Sequence, residues 1–277
     1  MKKRNLTLLT LLALAGAGIG VSPARAANVP VNTTTSTTGD LILGFQGSQT
    51  GTGTPVVLEI DLGLNTLFNK LDGSTFTLSS VLLADLNSTF GSGWYTSGLV
   101  KWGVVGTTSN TGIGVNAKNT IYGTNAAASA HGSTAFANGT GSAQAGAQSQ
   151  ISALYQGLKN TAALAGNANA ALVTQATTNS YTLTETSAAN QTFAYFTPGQ
   201  NAVDGVVGSS VLDLYQLSST NNTNPGTTYL GTFTIDANAT ARFAAVPEPS
   251  TYVMLLGSLG AFFVFRRNRR ANSPAGI

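Results

Sequence analysis

Val56-Val57-Leu58-Glu59-Ile60-Asp61-Leu62 is the stretch that decides the fold class. Val56, Leu58, Ile60 and Leu62 fall on one face of an extended chain; Val57, Glu59 and Asp61 fall on the other. Side chains alternate across a strand with a period of two, so the pattern predicts a strand with one face in the core and one in water. Just upstream, Leu41-Ile42-Leu43-Gly44-Phe45 reads as a buried strand, and the Gly/Ser/Thr run from Gly47 to Thr54 joins the two as a hairpin.

The same alternation returns at Val211–Leu217 and Tyr229–Ile235, separated by the turn-rich Asn221–Gly226 with Pro225, and Ala241–Val246 offers a final strand. Shorter strand signals lie at Ser74–Leu78, Leu99–Val105, Ile121–Tyr122, Ser180–Thr184 and Thr192–Thr197. Helical spacing appears at Leu64, Leu67, Phe68 and Leu71, and again in Ser80–Phe90 with Leu82, Leu86 and Phe90 inward. A third stripe, Ile151, Leu154, Tyr155, Leu158 and Ala162, predicts a helix over Gln148–Ala165 that Gly166-Asn167 would end. Residues 125–150 are a low-complexity Ala/Ser/Gly/Gln/Asn insert with too few large apolar residues to nucleate a core. Residues 27–39 form a loose Thr-rich arm. The expected fold is therefore mainly β. An antiparallel, sandwich-like domain spans 40–245, its first and last hairpins pair with each other, and one to three short helices pack on it.

Both ends lie outside that domain. Lys2, Lys3 and Arg4, then apolar Leu6–Val21, then Ala24-Arg25-Ala26 make a secretory signal peptide over 1–26, with Ala24 and Ala26 at the cleavage positions. At the other end, residues 246–277 hold Val246-Pro247-Glu248-Pro249-Ser250-Thr251, an apolar run and Arg266-Arg267-Asn268-Arg269-Arg270. Prolines fix φ and remove backbone donors, which predicts an extended, accessible segment rather than packed core. The apolar stretch from Ser250 to Phe265 would reach roughly 24 Å as a helix, a short transmembrane segment, with the arginines held on the cytoplasmic side.

Setting the ends aside removes the basic character of the chain. Between Ala27 and Ala245 there are five Lys and Arg against nine Asp and Glu, a net charge of −4, so no basic surface remains for nucleic acid. There is no cysteine, so an exported domain must rely on apolar burial rather than disulfides.

The chemistry on offer is thin. His131 is the only histidine and sits in the low-complexity run, where it reads as a solvated loop residue rather than a catalytic base. Glu59 and Asp61, about 7 Å apart along a strand face, are spaced for a glycosidase pair or part of a calcium site, but read first as polar residues on a wet strand face. Trp94 and Tyr95 offer a glycan-stacking platform, whereas Trp102, alternating with valines, belongs in the core. No metal site, cofactor or catalytic residue is expected.

Pro247-Glu248-Pro249, then Ser250, an apolar segment and Arg266, Arg267, Arg269 and Arg270 resemble the three-part C-terminal sorting signal of PEP-CTERM proteins. Leu212-Asp213-Leu214-Tyr215, a polar loop and Tyr229-Leu230-Gly231-Thr232-Phe233 more loosely resemble what precedes the signal in such proteins, as does Gly39–Phe45 near the start. The resemblance implies processing by an exosortase, a membrane-embedded cysteine transpeptidase-like enzyme, after signal peptidase has removed the leader. It also implies transient residence in the inner membrane and association with exopolysaccharide. The expected protein is a non-catalytic surface or extracellular-matrix component, with a carbohydrate-binding module using exposed aromatics as the alternative and a hydrolase as a distant third.

Overall fold

The structure, a computed structural model, describes residues 38–69, 72–108, 120–127, 131–132, 141–177, 179–182, 205–218 and 226–247. The signal peptide, nearly all of the Thr-rich arm, the strand expected at Thr192–Thr197 and the apolar C-terminal segment lie outside these residues.

The hairpin predicted from the opening stretch is present. Strand β1, Asp40–Ser48, pairs antiparallel with β2, Pro55–Leu64, placing Leu43 opposite Ile60 and Phe45 opposite Leu58. The other strands are β3 (Thr75–Thr77), β4 (Lys101–Thr107), β5 (Ile121–Ala126), β6 (Ala163–Leu164), β7 (Asn167–Thr174), β8 (Gly205–Val206), β9 (Leu212–Ser218), β10 (Gly226–Ile235) and β11 (Ala241–Ala245). They form one antiparallel sheet in the order β3-β11-β10-β9-β5-β4-β1-β2-β7-β6, with β8 against β4. The first and last hairpins therefore do not pair with each other. β1 takes β4 as its second partner and β9 takes β5, so the middle strands bridge the two hairpins.

The sheet wraps around a shared core in a sandwich-like arrangement. Leu43, Phe45, Leu58, Ile60, Trp102, Val104, Leu214, Phe233 and Phe243, from strands far apart in sheet order, share one core. Phe68, just past β2, meets Phe233 and Phe243 at ring-centroid distances of 5.6 and 5.2 Å, which brings the β2 end over the β10–β11 end. Phe45 stacks on Trp102 at 6.2 Å, as the alternation of Trp102 with valines predicted.

A second core covers the opposite face. The long helix, Gly141–Asn160, lays Ile151, Leu154, Tyr155 and Leu158 on Ile42, Val57, Val105, Ile121 and Leu217. The Tyr155 hydroxyl donates to the Asp40 carbonyl (2.7 Å) and accepts from the Thr107 amide (2.9 Å), so its buried oxygen is satisfied on both counts.

Several expectations change. The second face of β2 is not in water: Val57, Glu59 and Asp61 are fully buried, because this helix and the segment around Tyr181 cover it. The helix expected at Leu64–Leu71 reduces to a 3-10 turn, Asn65–Leu67, since β2 continues through an exposed Leu64; of the described residues of the stripe, Phe68 is fully buried and Leu71 lies outside them. The short helix Leu83–Phe90 forms, ending at Gly91 with φ +83°, and buries Leu86 but leaves Leu82 exposed. The long helix starts earlier and stops earlier than predicted, and Ala162 falls outside it and is exposed. Gly166, at φ +86°, does not follow a helix but turns β6 into β7, which pairs with β2. The low-complexity insert contributes the end of β5 and the first half of that helix. Tyr181-Thr182 has helical rather than strand backbone.

Candidate functional site

The C-terminal junction is built by β11. Ala241, Phe243 and Ala245 face the core while Arg242 and Ala244 face out, and the strand lies between β10 and β3. Opposite β3 the register runs Arg242–Thr77, Phe243–Phe76 and Ala244–Thr75. It does not stop where the strand ends. The Ala245 amide donates to the Ser74 carbonyl (2.8 Å), and Pro247 sits in an antiparallel bridge with Asp72, in the same register. On the other side the Val246 amide donates to the Leu230 carbonyl (3.0 Å). Gly73, at φ +70°, lies so close that a β-carbon there would come 3.2 Å from the Pro247 ring. The segment is extended, as its prolines dictate, but its first proline is half-buried in the folded sheet instead of being free of it. Glu248, Pro249, Ser250, Arg266, Arg267, Arg269 and Arg270, like Ala24 and Ala26, lie outside the described residues.

The acids of β2 form a dry cluster. Glu59 stands opposite Gly44 of β1 and Ala171 of β7. Its Oε1 accepts from the Tyr181 amide (2.7 Å), and Oε2 has no partner among the described residues. Burial pushes its pKa up to about 8, offset in part by that amide. The Tyr181 ring occupies the space a side chain at Gly44 would need, 2.5 Å from where a β-carbon would stand. Asp61 is also buried, and its Oδ1 accepts from the Gly63 amide (2.8 Å). Glu59 and Asp61 do stand two residues apart in β2, but both are sealed from solvent. Among the described residues no three His, Cys, Asp or Glu side chains gather as a metal site.

His131 is held more firmly than a solvated loop residue would be. Its side chain is 56% exposed, yet Nδ1 lies 2.9 Å from Oδ1 of Asp213, which is buried in β9. Asp213 also accepts from the Gly132 amide (2.7 Å) and the Thr232 hydroxyl (3.0 Å), and Thr232 bonds the Tyr229 hydroxyl (2.5 Å). Burial, then the adjacent Asp213 carboxylate, push the Tyr229 phenol above its ordinary value. A buried carboxylate that orients an imidazole is two-thirds of a nucleophilic triad. With His131 and the Gly132 amide both bonded to Asp213, the cluster fastens the 131–132 turn to the sheet. Asp213 was one acid of an alternating strand in the sequence; nothing there tied it to His131.

The aromatic platform is not exposed. Trp94 is 1% accessible, packed edge-on against Phe45 (6.4 Å) and Tyr95 (5.5 Å). Tyr95 is half-buried, its hydroxyl 3.5 Å from the Ile235 carbonyl. Stacking needs an open ring face, and Trp94 is used instead to close one end of the core.

Among the described residues no helix is long and apolar enough to cross a membrane. Residues 245–270 match the family model described as the PEP-CTERM protein-sorting motif. No curated protein and no solved structure matches the chain. The chain thus carries a PEP-CTERM sorting motif, which implies export, membrane-anchored sorting and processing by an exosortase-like enzyme. The type of its mature domain is unknown.

Proposed function

We propose that this chain is an exported surface or extracellular-matrix protein without catalytic activity, whose folded β domain is the cargo of the sorting motif and associates with exopolysaccharide. The observation that carries the reading is the motif at 245–270, whose first proline continues the domain's own sheet. Support comes also from the acids that the sequence offered for chemistry. Glu59 and Asp61 are sealed under Tyr181 and the long helix, and Asp213 is spent on holding His131. The alternative of a stacking module loses its main aromatic face to the core.

The test is fractionation of the native host with intact-mass analysis of the protein in membrane, surface and medium. The expected form has lost the leader after Ala26 and the segment beyond the Pro247–Pro249 motif, and co-fractionates with polysaccharide. Full-length protein in the cytosol, with Met1 and Ile277 attached, overturns the proposal.

A further inference from the structure

We infer that Asp72, Gly73 and Ser74 form a clasp that holds the start of the sorting motif folded, and that processing requires this clasp to open. The inference rests on the reading of residues 245–270 as the processed signal.

Four observations place the clasp. The β3–β11 register continues past the strand to pair Pro247 with Asp72. Ser74 accepts the Ala245 amide on one side and Leu230 accepts the Val246 amide on the other, so both residues ahead of the motif are held in ladder bonds. Gly73 has no side chain and a left-handed backbone, and that is what lets the Pro247 ring approach; a β-carbon would stand 3.2 Å from Pro247 Cγ and 3.4 Å from its Cβ. The Asp72 Oδ1 accepts the Ser74 amide (2.9 Å), which fixes the turn carrying Gly73.

A processing enzyme has to take a stretch of extended chain into its cleft, on both sides of the bond or motif it reads. A backbone already paired in a sheet cannot lie in that cleft at the same time. Pro247 also stands three residues ahead of Ser250, where the apolar stretch begins; that is only ~10 Å of extended chain. With the clasp closed, a membrane-embedded enzyme meets a motif whose first proline is paired with the folded domain. The competent state is then the open one, and the apparent reaction rate scales with its population. Asp72 and Gly73 are positioning residues: they touch the motif and control its presentation.

The experiment follows C-terminal processing of the full-length protein in its own host by pulse-chase and intact mass. Four chains are compared: the natural sequence, Gly73→Val, a variant with Gly-Ser-Gly-Ser inserted between Val246 and Pro247, and the two changes combined. Pro249→Ala serves as the control for the motif itself. Gly73→Val and the insertion are each expected to speed processing by at least about threefold, and the combination is expected to add nothing beyond the insertion. Non-additivity is the signature of one shared clasp; general destabilisation would accumulate instead. The insertion leaves every residue of the sheet through Val246 in place and releases Pro247 alone, so it keeps the test valid if Gly73→Val misfolds. An insertion that leaves the rate unchanged, or slows it, overturns the clasp while leaving the sorting motif intact. Equal persistence of the full-length natural chain and Pro249→Ala overturns both.

Discussion

Strands β2 and β11 look alike as sequences and differ as structures. In each, one set of alternate residues is apolar and the charges fall in the other set. In β11 burial follows the alternation, with Ala241, Phe243 and Ala245 inside and Arg242 and Ala244 outside. In β2 both faces are buried, and the polar set, Glu59 and Asp61, is as dry as the apolar one. The difference lies in what covers each strand. β2 sits between β1 and β7, where the long helix and the Tyr181 segment pack; the outward face of β11 has Thr77 and Thr234 as its register neighbours. Alternation reports which side chains share a face, and the location in the fold decides whether the second face is wet.

The most forceful way to break the comparison is inside β11. Phe243 is fully buried and its ring meets Phe68, Phe76 and Phe233 at 5.2, 5.6 and 4.8 Å. Phe243→Ala removes the ring that ties Phe68, just past β2, to Phe76 of β3 and Phe233 of β10. A loss of about 3–5 kcal/mol is expected by urea denaturation. A loss under about 1 kcal/mol would mean that these rings do not pack together there.

The next test sharpens the contrast at β2. The folded-state pKa of Glu59 is raised from 4.5 to about 8, so folding holds a proton that the unfolded chain releases. The contribution is fully present below pH about 4.5 and is lost as pH rises through 8. Glu59→Gln keeps an oxygen for the Tyr181 amide and removes the titration. Between pH 5 and 8.5 the natural domain is expected to lose on the order of 1–3 kcal/mol more than the variant. Parallel stability curves would show Glu59 to be solvated, as its sequence pattern suggested.

How much was legible follows the same division. The strands around Val56–Leu62, Val211–Leu217 and Tyr229–Ile235 and the stripe Ile151, Leu154, Tyr155 and Leu158 could be read because their own side chains carry the period. Strand β7 could not be read: Asn167–Thr174 is small and polar at its start and is a strand because the free edge of β2 supplies its ladder partners. The start of the long helix was hidden in Ala, Ser and Gly without a stripe. The candidate sites were harder still. The cover over Glu59 comes from Tyr181, the anchor of His131 from Asp213, and the grip on Pro247 from Asp72. Each of these partners is distant in sequence, and no local pattern names it. The sorting motif was plain because its parts are contiguous.

The gentlest test is also in β11, one residue from the most severe. Arg242 faces outward opposite Thr77 on β3 and Thr234 on β10. Arg242→Thr puts a strand-favouring side chain between two threonines, removes a long stem from an exposed face and leaves every ladder bond in place. Stability is expected to stay within about 0.5 kcal/mol of the natural domain, measured by the same denaturation as Phe243→Ala. Because the strand period is two, moving one residue along the chain moves from a closed core to an open face, and the two effects should differ several-fold. A cost for Arg242→Thr comparable to that of Phe243→Ala would mean that the outer face of β11 is covered in solution, as both faces of β2 are, and the contrast between the two strands would be gone.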